Sequence, residues 1–393
     1  MGNSIYDSAV IYKYLLNLKL EQHFRRLVLQ HITSILITVF MSGYKGKTVE
    51  MSRNSERCRT TIAHFLNHGR WDDDLLEGIL KAEVIHRIYE EAKRTGEPIL
   101  CIVDDTISSK TKPSLQAMHP IEDAYFHQSH LRKKQDYGHQ AVGVMLSCNG
   151  IVLNYAIVMY DKSQSKIQIV CDIAKELPVT PVPSFFLCDC WYSCKKVMDA
   201  FMSKGFYTIG ALKTNRVIFP AGMRQNISRF AQFICKTDLN VSLVTVGKRQ
   251  YYVYRYEGNL NDLEDVVVLI SYPKKTFGVP HALRAFICTD CSLSTSEILN
   301  RYAERWTIEV FFRQAKQKLA LDKYQIRSSR GIRRFWLLMS VAHYICCTAS
   351  GKEFSFQKGY AVIQKQLLTE RVAYIYNCGA AKISLDSVLA VVA

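Results

Sequence analysis

The chain has 393 residues, of which 48% are apolar and 22% charged, a balance typical of a globular protein with a sizeable core. Its net charge of +16 favours a polyanionic partner, most simply nucleic acid, although ribosomal and membrane-surface proteins share such a charge. Thirteen cysteines, scattered and often in apolar runs, favour buried thiols in a reducing cytoplasm over a disulfide scaffold or a zinc site.

Residues 1–95 are predicted to form a helical N-terminal region. A basic, turn-rich segment begins at Gly46 and reads GKTVEMSRNSERCRTTIAHFLNHGRW. Its apolar residues are spaced for one face of a short helix, and Arg53 and Arg57 lie on or near that face. The segment resembles a helix-turn-helix DNA reader, with an ordinary helical cap as the alternative. Arg53 and Arg57 are therefore candidate DNA-binding residues.

Two long apolar runs begin at Arg26 and Phe335. Each is too short or too polar to span a bilayer, so we expect two buried helices. The N-terminal residues MGNSIYDS carry no signal or acylation pattern. The sequence therefore predicts a cytoplasmic protein without a membrane partner.

From residue 96 the pattern changes to that of an α/β domain. EPILCIVDD predicts a buried strand that ends in Asp104 and Asp105. Residues 138–161 predict a hairpin that turns at an Asn-Gly pair, which is the strongest short turn signal.

Helices and strands then alternate. We expect a helix over residues 165–177, a strand that ends in Asp189, a helix over 191–204 and another strand, GFYTIGALK. Residues 213–285 follow as short strands and turns without a helix of note, and are predicted to be a β-rich insertion. This order is that of a ribonuclease H-like α/β domain, interrupted before its last main helix.

The predicted organisation has four parts. The helical region covers residues 1–95, and the ribonuclease H-like core consists of 96–212 and 286–345. The insertion covers 213–285, and the C-terminal region, 346–393, has no feature that assigns it.

A polar stripe marks the last main helix, which begins at the capping box STSE and includes RYAERWTIEVFFRQAKQKL. In an ideal helix, Tyr302, Arg305, Glu309 and Lys316 fall within a sector of about 60°. A partly exposed ion-pair edge would also collect polar residues, so this helix alone leaves its role open.

Three acids occupy related places in the predicted fold: Asp104 or Asp105 after the first strand, Asp189 after the fourth, and Glu309 in the helix. Carboxylates that lie close together repel one another unless cations are present, and Mg²⁺ prefers oxygen ligands. Two such ions, roughly 4 Å apart, support phosphodiester transfer. A single acid after a strand is usually structural, so the prediction depends on all three.

The sequence YAERWTIEVFFRQAKQKL resembles the Tyr-(2)-Arg-(3)-Glu-(6)-Lys signature of bacterial insertion-sequence transposases in the DDE superfamily, of the IS-four type. Tyr302, Arg305, Glu309 and Lys316 meet every spacing. IVDDT and LCDCWYSCKKVMDAF…KGFYTIGALKTNR are similar to the first two catalytic-acid regions of this family. The resemblance covers about residues 95–345.

The resemblance implies a transposase that binds the terminal inverted repeats of an insertion sequence, cleaves the element ends and joins them to target DNA. It implies two Mg²⁺ ions, with Mn²⁺ as a substitute, and a homodimer on double-stranded DNA. Asp189 and Glu309 would be catalytic metal ligands. The first ligand would be Asp105, because Thr106 follows it as in the family, with Asp104 as the fallback.

The resemblance also implies that Tyr302, Arg305 and Lys316 hold phosphates and end nucleotides of the transposon DNA. Lys213 and Arg216 lie just beyond a strand end, facing the expected DNA, with ordinary surface residues as the alternative.

Three further residues have alternative interpretations. Trp306 is a candidate to cradle a flipped-out base, unless it belongs to the core. Lys110 follows a strand and is a candidate DNA contact or an ordinary surface residue. His139 matches a recurring family position, but no physical argument gives it a role.

Two other functions compete with the transposase. Another ribonuclease H-fold nuclease would share the acids but has no evident need for the polar stripe. A catalytically inactive, transposase-derived DNA-binding protein would need no acids, and all three are present.

Overall fold

The computed structural model describes residues 8–41, 43–118, 120–129 and 134–392. Residues 1–7, on which the expected absence of an export signal rests, lie outside this part of the chain. Five helices precede the first strand: α1 (Ala9–Asn17), α2 (Arg26–Phe40), α3 (Thr48–Ser52), α4 (Arg59–Asn67) and α5 (Asp73–Thr95).

The longest of these helices, α5, has clear signals at both ends. The Asp72 side chain caps it by accepting the amide N–H of Leu75 at 2.9 Å. Gly96 ends it in the left-handed conformation, with φ of 73°, which glycine adopts without a steric cost. The chain can therefore turn directly into the first strand.

All strands of the described residues belong to one mixed sheet. They are β1 (Leu100–Ser109), β2 (Tyr125–Ser129), β3 (Lys134–Cys148), β4 (Ile151–Tyr160), β5 (Ser184–Cys188), β6 (Phe206–Leu212), β7 (Val217–Ile218), β8 (Gln225–Asn226), β9 (Val241–Val246), β10 (Arg249–Leu260), β11 (Leu263–Pro273) and β12 (Arg284–Cys288). Their order is β2-β3-β1-β5-β6-β12-β11-β10-β7-β8, with β4 beside β3 and β9 beside β10. Strands β1, β5 and β6 are parallel, and the other pairs are antiparallel.

The remaining helices cover the sheet or continue the chain beyond it. They are α6 (Lys166–Glu176), α7 (Lys195–Met202), α8 (Ile227–Phe230), α9 (Thr295–Ala303), α10 (Trp306–Lys318), α11 (Ser329–Ala349), α12 (Phe356–Ala380) and α13 (Leu385–Val392). Helix α11 is largely buried and packs against β4, α2, α4 and α12. The predicted buried helices from Arg26 and Phe335 are confirmed as α2 and most of α11. No helix within the described residues is long and apolar enough to cross a membrane.

The segment 213–285 continues the main sheet. It contributes β7 to β11 and the four-residue helix α8. Strand β11 pairs with β12, which pairs in turn with β6. This segment is therefore hydrogen-bonded into the same sheet as the strands that precede it.

The first strand is longer than predicted. Asp104 and Asp105 lie in the middle of β1 and do not end it, because β3 pairs with β1 as far as Ser109. The parallel partner β5 ends much earlier, and its last pair with β1 joins Ile102 and Leu187. The two acids thus lie where the parallel neighbour of β1 ends. Strand β2 was not predicted at all.

The helix that carries the polar stripe is broken in two. The capping box at its start is confirmed, with Ser294 and Glu297 bonded reciprocally. Helix α9 ends at Ala303 and α10 begins at Trp306. At the break, four amide N–H groups bond to the carbonyl three residues earlier, those of Glu304, Arg305, Thr307 and Ile308. The stripe therefore departs from ideal α-helical spacing.

Helix α10 lies close to the sheet at Gly143. A Cβ atom at this position would lie 2.7 Å from the ring of Phe312, which is buried. Gly143 pairs directly with Asp104 of β1. Directly opposed residues of an antiparallel pair point to the same face, so Asp104 also faces α10.

Candidate functional site

The paired acids of β1 face opposite sides of the sheet, as successive residues of a strand do. The Asp104 carboxylate accepts a hydrogen bond from Arg305, at the start of α10. The Asp105 carboxylate accepts one from Lys166, at the start of α6. Asp104 therefore shares a face with Glu309 of α10, and Asp105 lies across the sheet.

Arg305 bridges Glu309 and Asp104, the latter being the fallback for the first predicted metal ligand. Its Nη1 atom lies 2.5 Å from Oδ2 of Asp104, and its Nη2 atom lies 2.6 Å from Oε1 of Glu309. All three side chains are at least partly buried, and Arg305 is 17% exposed. The guanidinium therefore supplies the positive charge between these carboxylates.

The third acid, Asp189, follows β5 at the same level of the sheet. Since Ile102 pairs with Leu187, two further residues on each parallel strand bring Asp189 beside Asp104. The carboxyl ends of neighbouring parallel strands meet at one edge of a sheet, which is where ligands of such sheets bind.

Burial shifts the pKa values of Asp104 and Asp189. Burial raises the pKa of Asp104 to about 6; the Arg305 charge opposes this shift and the Asp189 charge adds to it. Burial likewise raises the pKa of Asp189, to which the charge of Asp105 contributes. Both carboxylates would gain from a nearby cation.

Oxygen donors of this kind suit a divalent metal ion, yet their arrangement is not that of a closed metal site. Within residues 8–41, 43–118, 120–129 and 134–392, no three Asp, Glu, His or Cys side chains are grouped to hold an ion. Arg305 lies between Asp104 and Glu309. The donor chemistry therefore fits a metal, provided that the guanidinium leaves the carboxylates.

Two residues of the polar stripe contact β1. Arg305 donates to the Asp104 carboxylate, and further along the strand the ammonium of Lys316 donates to the carbonyl of Ile107 at 2.8 Å. Tyr302 is mostly buried, and its ring packs 4.7 Å from that of Phe286. Burial raises the pKa of the Tyr302 hydroxyl to about 12, so it remains protonated. Arg305 and Lys316 thus contact β1, Glu309 pairs with Arg305, and Tyr302 packs against β12.

Two exposed tryptophans flank the acids in sequence. Trp306 is 57% exposed, which rules out a place in the core. Trp191 is 51% exposed, and the ammonium groups of Lys166 and Lys213 lie 4.8 and 5.4 Å from its ring centroid. Trp191 was not among the predicted site residues, although it lies two residues after Asp189.

The basic residues beyond β6 have different surroundings. Lys213 is exposed at the carboxyl edge of the sheet. Arg216 pairs with Asp262, in the turn between β10 and β11, at 2.5 Å. Arg53 and Arg57 are exposed in the segment between α3 and α4. The Arg216 guanidinium is thus held by a carboxylate of the segment 213–285.

Lys110 does not face outward as a DNA contact would. Its ammonium donates to the carbonyls of Asp322 and Tyr324, at 2.7 and 2.8 Å, and lies 3.6 Å from the Tyr324 ring centroid. Burial lowers the pKa of Lys110 to about 8. The segment after α10 wraps over the end of β1, so the expectation for Lys110 is wrong.

His139 is fully buried and joins two loops. Its Nδ1 atom lies 2.7 Å from the Tyr324 hydroxyl, and its Nε2 atom lies 2.8 Å from the carbonyl oxygen of Glu122. Burial lowers the pKa of the imidazole, which favours the neutral form. This gives His139 a structural role that its sequence context did not indicate.

The turn that carries Asp189 is tightly fixed. Oδ1 of Asp189 accepts the backbone N–H groups of Trp191 and Tyr192, at 2.9 and 3.4 Å. A helix was predicted to begin at residue 191. Because these contacts hold the first residues in a turn, α7 begins only at Lys195.

Residues 95–345 match the family model for the transposase DDE domain. A search of curated proteins gives no match. The matched segment covers more than half of the chain and includes Asp104, Asp189, Glu309 and the polar stripe. Proteins of this family are transposases and generally use divalent metal ions. The chain therefore belongs to the transposase DDE domain family.

Proposed function

We propose that this chain is an active insertion-sequence transposase of the IS-four type, working in the cytoplasm. It binds the terminal inverted repeats of its element, cleaves DNA at the element ends and joins them to target DNA. The observation that carries the proposal is the contact of Arg305 with both Asp104 and Glu309, with Asp189 just after the neighbouring parallel strand and Lys316 bonded to β1.

The topology supports a ribonuclease H-like core over residues 96–212 and 286–345. Strands β4, β3, β1, β5 and β6 are neighbours in that order, and the parallel strands follow the antiparallel ones. Residues 213–285 are then the insertion, and residues 1–95 the DNA-binding region.

Asp104, Asp189 and Glu309 would hold two Mg²⁺ ions, with Mn²⁺ as a substitute. The chemistry available from two such ions is activation of a water or 3′-hydroxyl and stabilisation of the leaving oxygen. We assign the first ligand to Asp104, where the family resemblance favoured Asp105, because Asp104 faces α10 and Asp105 does not.

The stripe would recognise the DNA backbone. Phosphate and carboxylate suit the same bidentate guanidinium geometry, so a DNA phosphate can take the place of either carboxylate at Arg305. Lys316 and the protonated hydroxyl of Tyr302 add donors beside it. Lys213, Arg216, Arg53 and Arg57 would bind further along the double-stranded DNA. Cleavage of two element ends calls for a homodimer.

The ion pairs of Arg305 also favour a second candidate, a catalytically inactive transposase-derived protein that only binds DNA. In that case Arg305 would be a permanent substitute for the metal. The two candidates differ in whether the protein cleaves.

The test uses a labelled duplex that carries the inverted repeat flanking the coding sequence. The full-length protein is incubated with paired ends in Mg²⁺, in Mn²⁺ and in a chelator. Metal-dependent cleavage at the repeat boundary is expected. Binding of the repeat without cleavage in either metal would favour the inactive DNA-binding protein.

Replacing both Arg53 and Arg57 by Ala should weaken binding to the repeat. Each lost phosphate contact lowers the salt dependence of the binding constant, so the slope of log Kd against log salt should fall by about 2. The matched control is the Lys93→Ala, Arg94→Ala pair on α5, whose cations are held by Glu90 and Glu91 and so should not contact DNA. If both variants had the same salt slope, Arg53 and Arg57 would not be the residues of the N-terminal region that contact DNA.

Metal use should depend on pH through Asp104. Its pKa lies at about 6 because the carboxylate is buried, so a metal must displace a proton below that pH. The Mn²⁺ concentration for half-maximal cleavage should therefore rise as pH falls below about 6, by about tenfold per unit for one proton. Cleavage measured over Mn²⁺ titrations from pH 5 to 8 checks this. A constant half-saturation concentration across that range would contradict it.

A further inference from the structure

Asp105 faces away from the proposed metal site, yet its carboxylate is bonded to three separate parts of the fold. Oδ2 accepts the Lys166 ammonium at 2.6 Å and the Tyr192 hydroxyl at 3.1 Å. Oδ1 accepts the side-chain amide of Gln140 at 2.7 Å. These donors belong to α6, to the turn after β5 and to β3. Asp105 therefore ties elements from both sides of β1 to one point on that strand.

The phenol partner of Asp105 belongs to the turn that carries Asp189. The Tyr192 side chain is fully buried, so the turn cannot shift without moving its ring. The backbone N–H groups of Tyr192 and Trp191 both donate to the Asp189 carboxylate. One tyrosine thus joins Asp105, through its hydroxyl, to Asp189, through its backbone.

The neighbouring residues Asp104 and Asp105 therefore both contribute to the site, from opposite faces of β1. Asp104 supplies a carboxylate on one face, and its neighbour Asp105 holds the Asp189 turn from the other. The pairing of β1 with β5 ends at Ile102 and Leu187, so beyond that point the hydrogen bond from the Tyr192 hydroxyl to Asp105 links β1 to the turn that carries Asp189. The ammonium of Lys166 balances the charge of the partly buried Asp105 carboxylate at 2.6 Å.

We infer that Asp105 and Tyr192 are positioning residues that hold Asp189 at the distance from Asp104 that metal binding needs. The inference rests on the proposed function, because it assigns the ligands as above. A purely structural ion pair would stabilise the fold in the same way, but would leave metal affinity unchanged.

The deciding variant is Tyr192→Phe, which keeps the buried ring and removes only the hydroxyl. Partners that orient metal ligands typically change metal affinity by 10- to 100-fold, so the Mn²⁺ dissociation constant should rise by roughly that factor. It is measured on the full-length protein from the electron paramagnetic resonance signal of free Mn²⁺. Amide exchange at residues 189–192 should also become faster, and affinity for the repeat duplex should stay the same.

Tyr344→Phe is the matched control. The Tyr344 hydroxyl is likewise buried, donates to Glu83 at 2.8 Å and accepts from Arg87 at 2.8 Å, between α11 and α5. It should leave Mn²⁺ affinity unchanged. The inference is overturned if Tyr192→Phe binds Mn²⁺ as the wild type does, or if Tyr344→Phe weakens binding equally.

Failure of the proposed function has a different signature. A wild-type protein that neither binds Mn²⁺ nor cleaves would overturn both, whatever the amide exchange shows. A wild type that binds Mn²⁺ and cleaves, with Tyr192→Phe indistinguishable from it, would overturn the positioning role alone. High Mn²⁺ should restore cleavage by Tyr192→Phe, because its three ligands remain.

Discussion

Replacing Glu309 by Gln is expected to abolish DNA cleavage while leaving the fold and DNA binding intact. The amide has the shape of the carboxylate but no charge, so the proposed metal site loses a ligand at little steric cost. Loss of several kcal/mol of transition-state stabilisation corresponds to a rate reduced by roughly a thousandfold or more. Single-turnover cleavage of the repeat duplex in saturating Mg²⁺ measures the effect.

The control is Glu304→Gln, which changes an exposed acid at the break between α9 and α10. It should cleave at a rate close to that of the wild type. The same assay separates the two acids of β1: Asp104→Asn should resist rescue by Mn²⁺, whereas Asp105→Asn should respond to it. Cleavage by Glu309→Gln within tenfold of the wild type would remove Glu309 from the metal site.

Replacing Arg334 by Met should cause a large loss of stability. Arg334 of α11 is fully buried, and Nη2 lies 2.6 Å from Oδ1 of Asp73. The guanidinium also donates to four backbone carbonyls, those of Phe65, Leu66, Gly69 and Trp71. Removing one partner of such a buried pair leaves the other groups unsatisfied, which typically costs about 3–5 kcal/mol of unfolding free energy. Urea denaturation followed by circular dichroism measures this loss.

Arg330→Met provides a matched comparison on the same helix. Arg330 approaches the same carboxylate of Asp73, at 3.8 Å, but its side chain is 55% exposed. Exposed ion pairs contribute about 0–1 kcal/mol, so the urea midpoint should change little. Equal midpoints for the two variants would show that the network around Arg334 is not what fastens α4 and α5 to α11.

Local chemistry predicted several elements correctly. The Asn149-Gly150 pair marks the turn of the β3–β4 hairpin, and the capping box at Ser294 marks the start of α9, because both signals act within a few residues. The break between α9 and α10 at Arg305 was not predicted, because no glycine or proline marks it in the sequence. Strand β2 was missed, since its few residues have no apolar alternation.

The site was less predictable than the elements around it. Alternation along a strand indicates that the side chains of Asp104 and Asp105 point to opposite sides of the sheet. The side that α10 covers is decided by tertiary packing, which the local sequence does not indicate. Lys110 shows the same limit, because the segment that buries it lies more than two hundred residues further along the chain. The contact of Arg305 with both Asp104 and Glu309 likewise depends on the tertiary arrangement.

The absence of a side chain at Gly143 has a consequence for how this site can evolve. A methyl group there would meet the buried ring of Phe312, so the separation between α10 and the sheet is set by a residue that is not one of the proposed metal ligands. Lifting the helix would draw Glu309 away from Asp104, which pairs with Gly143. Positions 143 and 312 are therefore free to vary only in concert, a larger residue on the strand being matched by a smaller one on the helix.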